Sequence, residues 1–254
     1  MIVINSRIEE INSHLQKAGS ASIHELNILF PEVSEMTIRR DLELLEKQGE
    51  IVRTRGGAKS ILSLLNSKED DYIKRAIFNP DGKRIIAEKA VSLLEKGRSV
   101  FFDAGTTIMA LSKIIPDEPY HIITSAPNIA LEVLKNKTTT VLLTGGRISR
   151  DNVCISGSSA YHFMEDVNVD IAFMVTSGFS ESGGFTSGNI DECELKKMVI
   201  KKAGKVIMLM DASKMNKTLP YTFANLKDID VLISDQKLPT AVLKAAKQYN
   251  IKIV

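Results

Sequence analysis

The sequence predicts an α/β protein in two parts, a small, mostly helical domain followed by a larger layered domain with a mainly parallel sheet. Three observations carry that expectation. The first fifty residues hold three short helical periodicities, and a turn rich in arginine and glycine follows them at 53–57. From Arg75 onward, amphipathic helices alternate with short apolar runs. Most of those runs end in a small polar cluster.

The elements follow in order. In "SRIEEINSHLQKAG", Ile8, Ile11 and Leu15 share one face, with Ser6 expected as the cap and Gly19 as the stop. "SIHELNILF" turns Ile23, Leu26 and Phe30 inward, and Pro31 prevents its continuation. A third helix starts at Ser34, carries Ile38, Leu42 and Leu45 at spacings of four and three, and ends at Gly49. Thr37, Arg39, Arg40, Glu43 and Lys47 are offset from that stripe and must largely face outward. The helix start therefore presents Thr37, Arg39 and Arg40 beside outward-pointing backbone N–H groups, which suits phosphates and base edges. "EIVRTRGGA" then reads as a strand, a Gly-Gly turn and a returning strand, with Arg53 and Arg55 at the tip.

Helix, helix, helix, hairpin is the order of a winged helix-turn-helix. The competing reading is a small helical bundle whose arginines pair on the surface with Glu35, Asp41, Glu43 and Glu46, since such pairs are common. Arginines carried on a flexible glycine turn favour DNA. Residues 1–60 are thus expected to form a DNA-binding domain. "SILSLLNSKEDDYIK" breaks the pattern with small and acidic residues, so 61–74 is expected to be a connector. Residues 75–254 would form the effector-binding and oligomerisation domain.

In that domain "KRIIAEKAVSLLEKG" is an amphipathic helix and "RSVFFDAGTT" a buried strand ending in a polar turn. "HIITSAPNIALEVL", "TTVLLTGGR", "VDIAFMVTSG" and "KVIMLMDASK" repeat the design, and "VLISD" and "IKIV" flank a final helix, "PTAVLKAAKQYN". Strands separated by helices imply an α/β layered fold. The polar clusters lie at strand ends: Asp103 with Gly105, Thr106 and Thr107; Thr124 with Ser125; Thr144 with Gly145 and Gly146; Ser177 with Gly178; Asp211 with Ser213 and Lys214. Ligands of open α/β sheets bind outside the carboxyl ends of the strands. Several such loops on one edge point to a polyhydroxylated or phosphorylated ligand, although each alone reads as an ordinary cap or turn. No Gly-Lys-Ser/Thr follows Gly105, and no Gly-x-Gly-x-x-Gly follows a strand, so nucleotide-binding signatures are missing.

Composition bounds the rest. A formal net charge of +2 is too small to argue for nucleic acid by itself, and residues 1–60 hold eight Lys or Arg against nine Asp or Glu. Any basic footprint must come from local arrangement. No apolar run approaches the roughly 18 residues that cross a bilayer, and the start lacks the regions of a signal peptide. Cys154 and Cys193 are isolated, which fits a cytoplasmic protein, and His14, His24, His121 and His162 lack metal-ligand spacing. Neither cofactor nor metal nor membrane is expected.

"VSEMTIRRDLELLEKQGEIVRTRGGA" resembles the signature of the DeoR family of bacterial transcriptional repressors. Val33, Ser34, Thr37, Ile38, Arg39, Arg40, Asp41, Leu42, Leu45, Glu46, Gly49, Arg53, Gly56, Gly57 and Ala58 all fit its pattern. Arg55 stands where the family usually has His, and "FPEVS" lengthens the turn before Ser34 by about one residue. "DAGTT", "TSAPN", "LTGGR", "GGFTSGNIDECELKK" and "DASK" resemble the family's effector domain, which is similar in fold to ribose-5-phosphate isomerase and senses a phosphorylated sugar. The resemblance implies DNA contacts at Ser34, Thr37, Arg39, Arg40, Arg53, Arg55, Gly56 and Gly57. For the effector it implies Asp103, Thr106, Thr107, Thr124, Asn128, Glu192, Lys196 and Lys214, which join Gly105, Gly145, Ser177 and Gly178 from the strand-end loops. Where the family commonly has Gly-Ala-Asp-Gly, this chain has Val175-Thr176-Ser177-Gly178, a hydroxyl in place of a carboxylate.

The expected function is a sequence-specific DNA-binding regulator, a repressor of a carbohydrate operon. It would bind double-stranded operator DNA as a dimer or tetramer and be modulated by a phosphorylated sugar. The alternative is an isomerase-like enzyme with Glu192 or Glu194 as base. The amino-terminal domain disfavours it, because an isomerase has no use for "TIRRDL" and an arginine wing.

Overall fold

The computed structural model describes residues 2–54, 56–60 and 72–254. The chain divides into two compact units, Met1–Lys68 and Glu69–Val254.

In the first unit, α1 (Ile2–Ala18), β1 (Ser20–Ser22), α2 (Ile23–Leu29) and α3 (Glu35–Lys47) precede β2 (Ile51–Thr54) and β3 (Gly57–Ser60). Ile11, Leu15, Ile23, Leu26, Ile38, Leu42 and Leu45 form one core, closed by Ile51 and Ala58. These are the expected stripes, with Ile8 and Phe30 partly buried at the margin. Gly19 and Gly49 both take positive φ at helix ends, where an L side chain would be strained. The structure departs from the sequence expectation at two points. The first helix begins at Ile2, so Ser6 lies inside it and not at its start. β1 was not anticipated; it pairs with β3, giving an antiparallel sheet in the order β1-β3-β2. Ser22 ends β1 and caps α2 reciprocally: the Glu25 N–H donates to the Ser22 hydroxyl at 3.1 Å, and the Ser22 N–H donates to the Glu25 carboxylate at 2.7 Å. That hydrogen bond to Ser22 holds the Glu25 carboxyl below its usual range.

The second unit starts earlier than expected. Tyr72–Lys74, read as the end of the connector, open α4 (Tyr72–Ile77); the rest of the connector, 61–71, lies outside the described residues. Then come α5 (Pro80–Val91), β4 (Ser99–Phe102), α6 (Thr106–Ser112), β5 (His121–Thr124), α7 (Pro127–Val133) and β6 (Thr140–Leu143). A hairpin of β7 (Arg147–Ser149) and β8 (Cys154–Ser156) leads to α8 (Ser158–Glu165), β9 (Val169–Val175), β10 (Gly178–Ser180) and β11 (Gly184–Ser187). The chain finishes with α9 (Ile190–Lys202), β12 (Ala203–Leu209), β13 (Tyr221–Ala224), β14 (Val231–Ile233), α10 (Thr240–Gln248) and β15 (Lys252–Ile253).

All the apolar runs read as strands enter one parallel sheet, in the order β15-β14-β12-β9-β4-β5-β6. Alternate residues along each strand feed opposite faces. Phe101, Ile123, Ala172, Met174 and Met208 join the core under α9 and α10, whereas Val100, Phe102, Ile122, Phe173 and Leu209 join the core under α5, α6 and α7. Phe102 and Phe173 meet edge-on across neighbouring strands, with ring centroids 5.6 Å apart. From β4 the chain builds outward to β5 and β6, then returns to the other side of β4 with β9 and continues to β15. The order therefore reverses between β4 and β9, which is where a sheet of this kind opens a crevice. An antiparallel sheet in the order β10-β11-β13 and the β7–β8 hairpin were not anticipated. Among the described residues no helix is long and apolar enough to cross a membrane.

Candidate DNA-contact surface and effector pocket

Ser34 takes an extended conformation and caps α3, its hydroxyl accepting the Thr37 N–H at 3.3 Å. From that start Thr37 is half-buried, and Arg39 and Arg40 are exposed on the face opposite Ile38 and Leu42. Asp41, which the sequence offered as a surface partner for the arginines, is buried instead. The Arg7 guanidinium of α1 donates to its carboxylate at 2.7 and 3.2 Å, tying α1 to α3. Arg39 shares a shallow groove with Glu46, Arg53 and Thr54.

The wing is held by its neighbours as much as by its turn. Arg53 donates its Nε–H to Glu46 at 2.7 Å and its backbone N–H to the same carboxylate at 2.9 Å. These bonds keep the Glu46 carboxyl below its usual range. The Gly56 carbonyl accepts the Ile23 N–H at 2.8 Å. Gly57 is buried, and a Cβ there would sit 2.1 Å from the Ala21 carbonyl oxygen, so β1 and β3 approach this closely only with glycine. Arg55 lies outside the described residues. Lys59, exposed on β3, is a further cation that the sequence reading passed over.

In the second unit, a narrow polar pocket of about 20 Å³ opens at the carboxyl ends of β4 and β9. The strand ends are pressed together: a Cβ on Gly105 would lie 2.7 Å from a methyl group of Val175. Gly105, Thr106 and Thr107 form one wall, and Val175, Thr176 and Ser177 another. Glu192 and Lys196, one turn apart on the same face of α9, complete it with Lys214, Asp211 and Arg75. Gly105 gives α6 no side-chain cap.

Asp103 lies beneath this pocket and is 2% exposed. Its carboxylate accepts the Ala104 N–H at 2.8 Å, the Val175 N–H at 3.0 Å and the ammonium of Lys196. Lys196 also donates to the Val175 carbonyl at 3.1 Å and stands 3.6 Å from Glu192. Burial alone would lower the Lys196 pKa, but the charges of Asp103 and Glu192 and the Asp103 hydrogen bond outweigh it and hold the pKa above its usual range. Lys196 is thus a permanent cation balanced by two carboxylates. Glu192 in turn accepts Asn152 Nδ2–H at 2.6 Å, and Asn152 accepts from the Arg75 guanidinium at 2.8 Å.

Besides Asp103, four expected effector residues do not line this pocket. Thr124 is buried, and its hydroxyl accepts the Ala126 N–H at 3.1 Å, shaping the turn after β5. Asn128 donates to the Tyr72 hydroxyl at 2.7 Å, while its Oδ1 is buried without a hydrogen-bond partner. Gly145 is exposed in the loop after β6. Gly178 packs where a Cβ would lie 2.7 Å from the Lys217 carbonyl oxygen, and its own carbonyl accepts the Thr176 and Thr186 hydroxyls at 2.7 and 3.0 Å. Sequence reasoning missed Arg75, Asn152 and, as a pocket residue, Asp211. The strand-end rule that flagged Lys214 reaches Asp211 equally; nothing in the spacing marks Arg75 or Asn152. Glu194, the other candidate base, is exposed and paired with Lys197 at 2.8 Å. Burial pushes both the Cys154 and Cys193 thiols up, which marks them as core groups and not nucleophiles. Among the described residues no His, Cys, Asp and Glu cluster could hold a metal ion.

Two family models match the chain. The family model described as a DeoR-like helix-turn-helix domain matches residues 7–63, and the one described as the DeoR C-terminal sensor domain matches residues 78–236. The chain is 38% identical over 206 residues to the HTH-type transcriptional regulator GlpR of Haloferax volcanii, covering 81% of this chain and 80% of that one. It is 36% identical over 206 residues to the HTH-type transcriptional repressor GlcR of Bacillus subtilis, covering 81% and 78%. Among solved structures, ribose 5-phosphate isomerase A of Methanocaldococcus jannaschii superposes on 54% of this chain and 55% of its own, at 17% identity and a TM-score of 0.41.

Proposed function

The chain belongs to the DeoR family of helix-turn-helix transcriptional regulators, and on that premise we propose how its two sites work. It binds DNA through α3 and the wing, and its sensor domain answers a phosphorylated sugar, so that it acts as a cytoplasmic repressor of a carbohydrate operon. The observation that carries the sensor reading is the pocket at the β4–β9 reversal, lined by two threonines at a helix start and by the cations Lys196, Lys214 and Arg75. Lys196 is balanced by Asp103 and Glu192, so it organises the pocket floor. Lys214, in the 3-10 turn after β12, is the lysine that meets the phosphate. Thr106 and Thr107 offer hydroxyls and first-turn N–H groups to the same anion. Asp103 clamps the two strand ends and does not take ligand hydroxyls, because the Ala104 and Val175 N–H groups and Lys196 already engage its carboxylate.

The catalytic alternative fits the geometry less well. Glu192 is held by Asn152 beside Lys196, and Glu194 faces solvent with Lys197, so neither is a poised base over the pocket. The test is a thermal-shift screen of sugar phosphates against the full chain, followed by competition with an operator recovered by selection from random DNA. A ligand that binds the folded state raises its apparent stability by mass action. Stabilisation by one sugar phosphate, with loss of operator binding and no turnover, is the expected result. Turnover of ribose 5-phosphate would overturn the reading.

A further inference from the structure

We infer that Glu46 sets the DNA specificity of this chain without touching DNA, by fixing the Arg53 guanidinium beside α3 and cancelling its charge for DNA that is out of register. This rests on the reading of α3 and the wing as the DNA-contact face and deepens it. Glu46 lies near the end of α3, two turns beyond Arg39 on the same face. Both line the groove of about 350 Å³ between α3 and β2, with Arg53 and Thr54 on its other wall. Each oxygen of the Glu46 carboxylate engages Arg53: Oε1 accepts the backbone N–H at 2.9 Å and Oε2 accepts Nε–H at 2.7 Å. The first bond covers the open side of β2, the outer strand of its sheet. The second settles which way the side chain points. With Nε–H engaged, the two terminal nitrogens form the fork that a backbone phosphate fits in two parallel hydrogen bonds.

A carboxylate in this place has an electrostatic consequence. Each cation on a surface that meets phosphates adds affinity for any duplex, and each anion removes it, whatever the sequence. The Glu46 and Arg53 side chains are 37% and 43% exposed, so both charges stand at the surface. Seen from a distance the pair is neutral, and Arg53 draws no phosphate through its charge alone. Only a phosphate that reaches the fork gains from it, through directional hydrogen bonds, and reaching the fork requires the duplex to be in register with α3. Non-specific binding is therefore weakened while the operator contact is kept. Specificity is a difference of two affinities, and a charge that works against the wrong partner raises it as surely as a contact to the right one. The same two bonds carry a mechanical role. They tie the far end of α3 to the strand that enters the wing, so Arg39 and Arg53 face one groove at a fixed spacing.

The experiment titrates the full chain against the operator recovered by selection and against a random-sequence duplex of the same length, over a series of salt concentrations. Glu46→Gln keeps an acceptor for the Arg53 backbone N–H and removes the charge. It should bind the random duplex about ten-fold more tightly, with a salt slope steeper by about one unit, and the operator no more tightly than the wild type. The ratio of the two affinities then falls by about ten-fold. Glu46→Asp keeps the charge and is too short to engage both groups of Arg53. It should bind the random duplex as the wild type does and lose operator affinity several-fold, and it carries the comparison if Glu46→Gln does not fold. In an Arg53→Gln background, Glu46→Gln should leave the ratio where it stands, because Glu46 acts through Arg53. An equal gain on both duplexes in Glu46→Gln, or no change on either, overturns the inference and leaves the DNA reading standing. So does wild-type operator affinity in Glu46→Asp, or a fall in the ratio that persists without Arg53. Recovery of no preferred duplex by the wild type overturns the DNA reading, and this inference with it.

Discussion

Arg40 and Lys196 show how differently two cations can serve one regulator. Arg40 is exposed at the start of α3 and reaches away from the core, the position from which a side chain meets base edges in the major groove. Arg40→Ala is expected to cost about 1–3 kcal/mol on the operator and to relax preference at one base pair. Titrations against the operator and single-base variants check it; an unchanged preference would mean that α3 is not read this way. Lys196 is 3% exposed and faces two carboxylates, so its removal leaves Asp103 and Glu192 buried without their counter-charge. Lys196→Ala should lower stability by about 3–5 kcal/mol, the scale seen when one partner of a buried pair is deleted. Urea unfolding of the full chain measures this. A loss confined to ligand binding would mean that Lys196 contacts the ligand directly. Arg53 stands between the two cases, since Glu46 must share or release it before it can meet a phosphate.

At the scale of elements, α3 and the wing are positioned from outside themselves, α3 by the Arg7–Asp41 pair and the wing by β1. Gly57 is the tightest point of that support. Gly57→Ala forces the β1 and β3 backbones apart and should destabilise the first unit by about 1–3 kcal/mol, as overpacking does. Amide exchange of β1 and β3 should quicken while the second unit keeps its protection; unchanged exchange would mean the two strands yield at little cost. The same support explains what the sequence did and did not disclose. The helices were legible because Ile11, Leu15, Ile38, Leu42 and Leu45 recur at helical spacing and all point into one core. The parallel strands were legible as continuous apolar runs buried on both faces. β1 was not, because Ser-Ala-Ser carries no pattern and becomes a strand only by pairing with β3. β10 and β11 are short and open on glycine, and β13, Tyr-Thr-Phe-Ala, offers no continuous apolar run, so none of the three announces itself. In the pocket, strand-end loops pointed to Gly105, Thr106, Thr107, Ser177 and Lys214. Asp103 and Lys196 are 93 residues apart, and only the folded sheet joins them. Arg75 enters the pocket from α4, whose backbone and Tyr72 hydroxyl are bonded to Lys83 and Asn128, and no spacing in the sequence announces that.

For the whole molecule, a single winged helix contacts too few base pairs to single out one site in a genome, so two or more copies are expected to act together. The sensor units should hold them, and the operator should be palindromic or repeated. Sedimentation that finds only the 28.0 kDa monomer, with and without DNA, would contradict this. The central claim is that the pocket at the β4–β9 reversal governs operator binding. It is tested most directly by measuring operator affinity with and without the best sugar phosphate, in the wild type and in Lys214→Ala. The account predicts a wild-type change of about 5–150-fold, matched in reverse by the effect of operator on sugar affinity. Lys214→Ala should bind operator as the wild type does and ignore the sugar. An operator response in Lys214→Ala equal to that of the wild type, or a variant that loses DNA binding while keeping its ligand response, would contradict it.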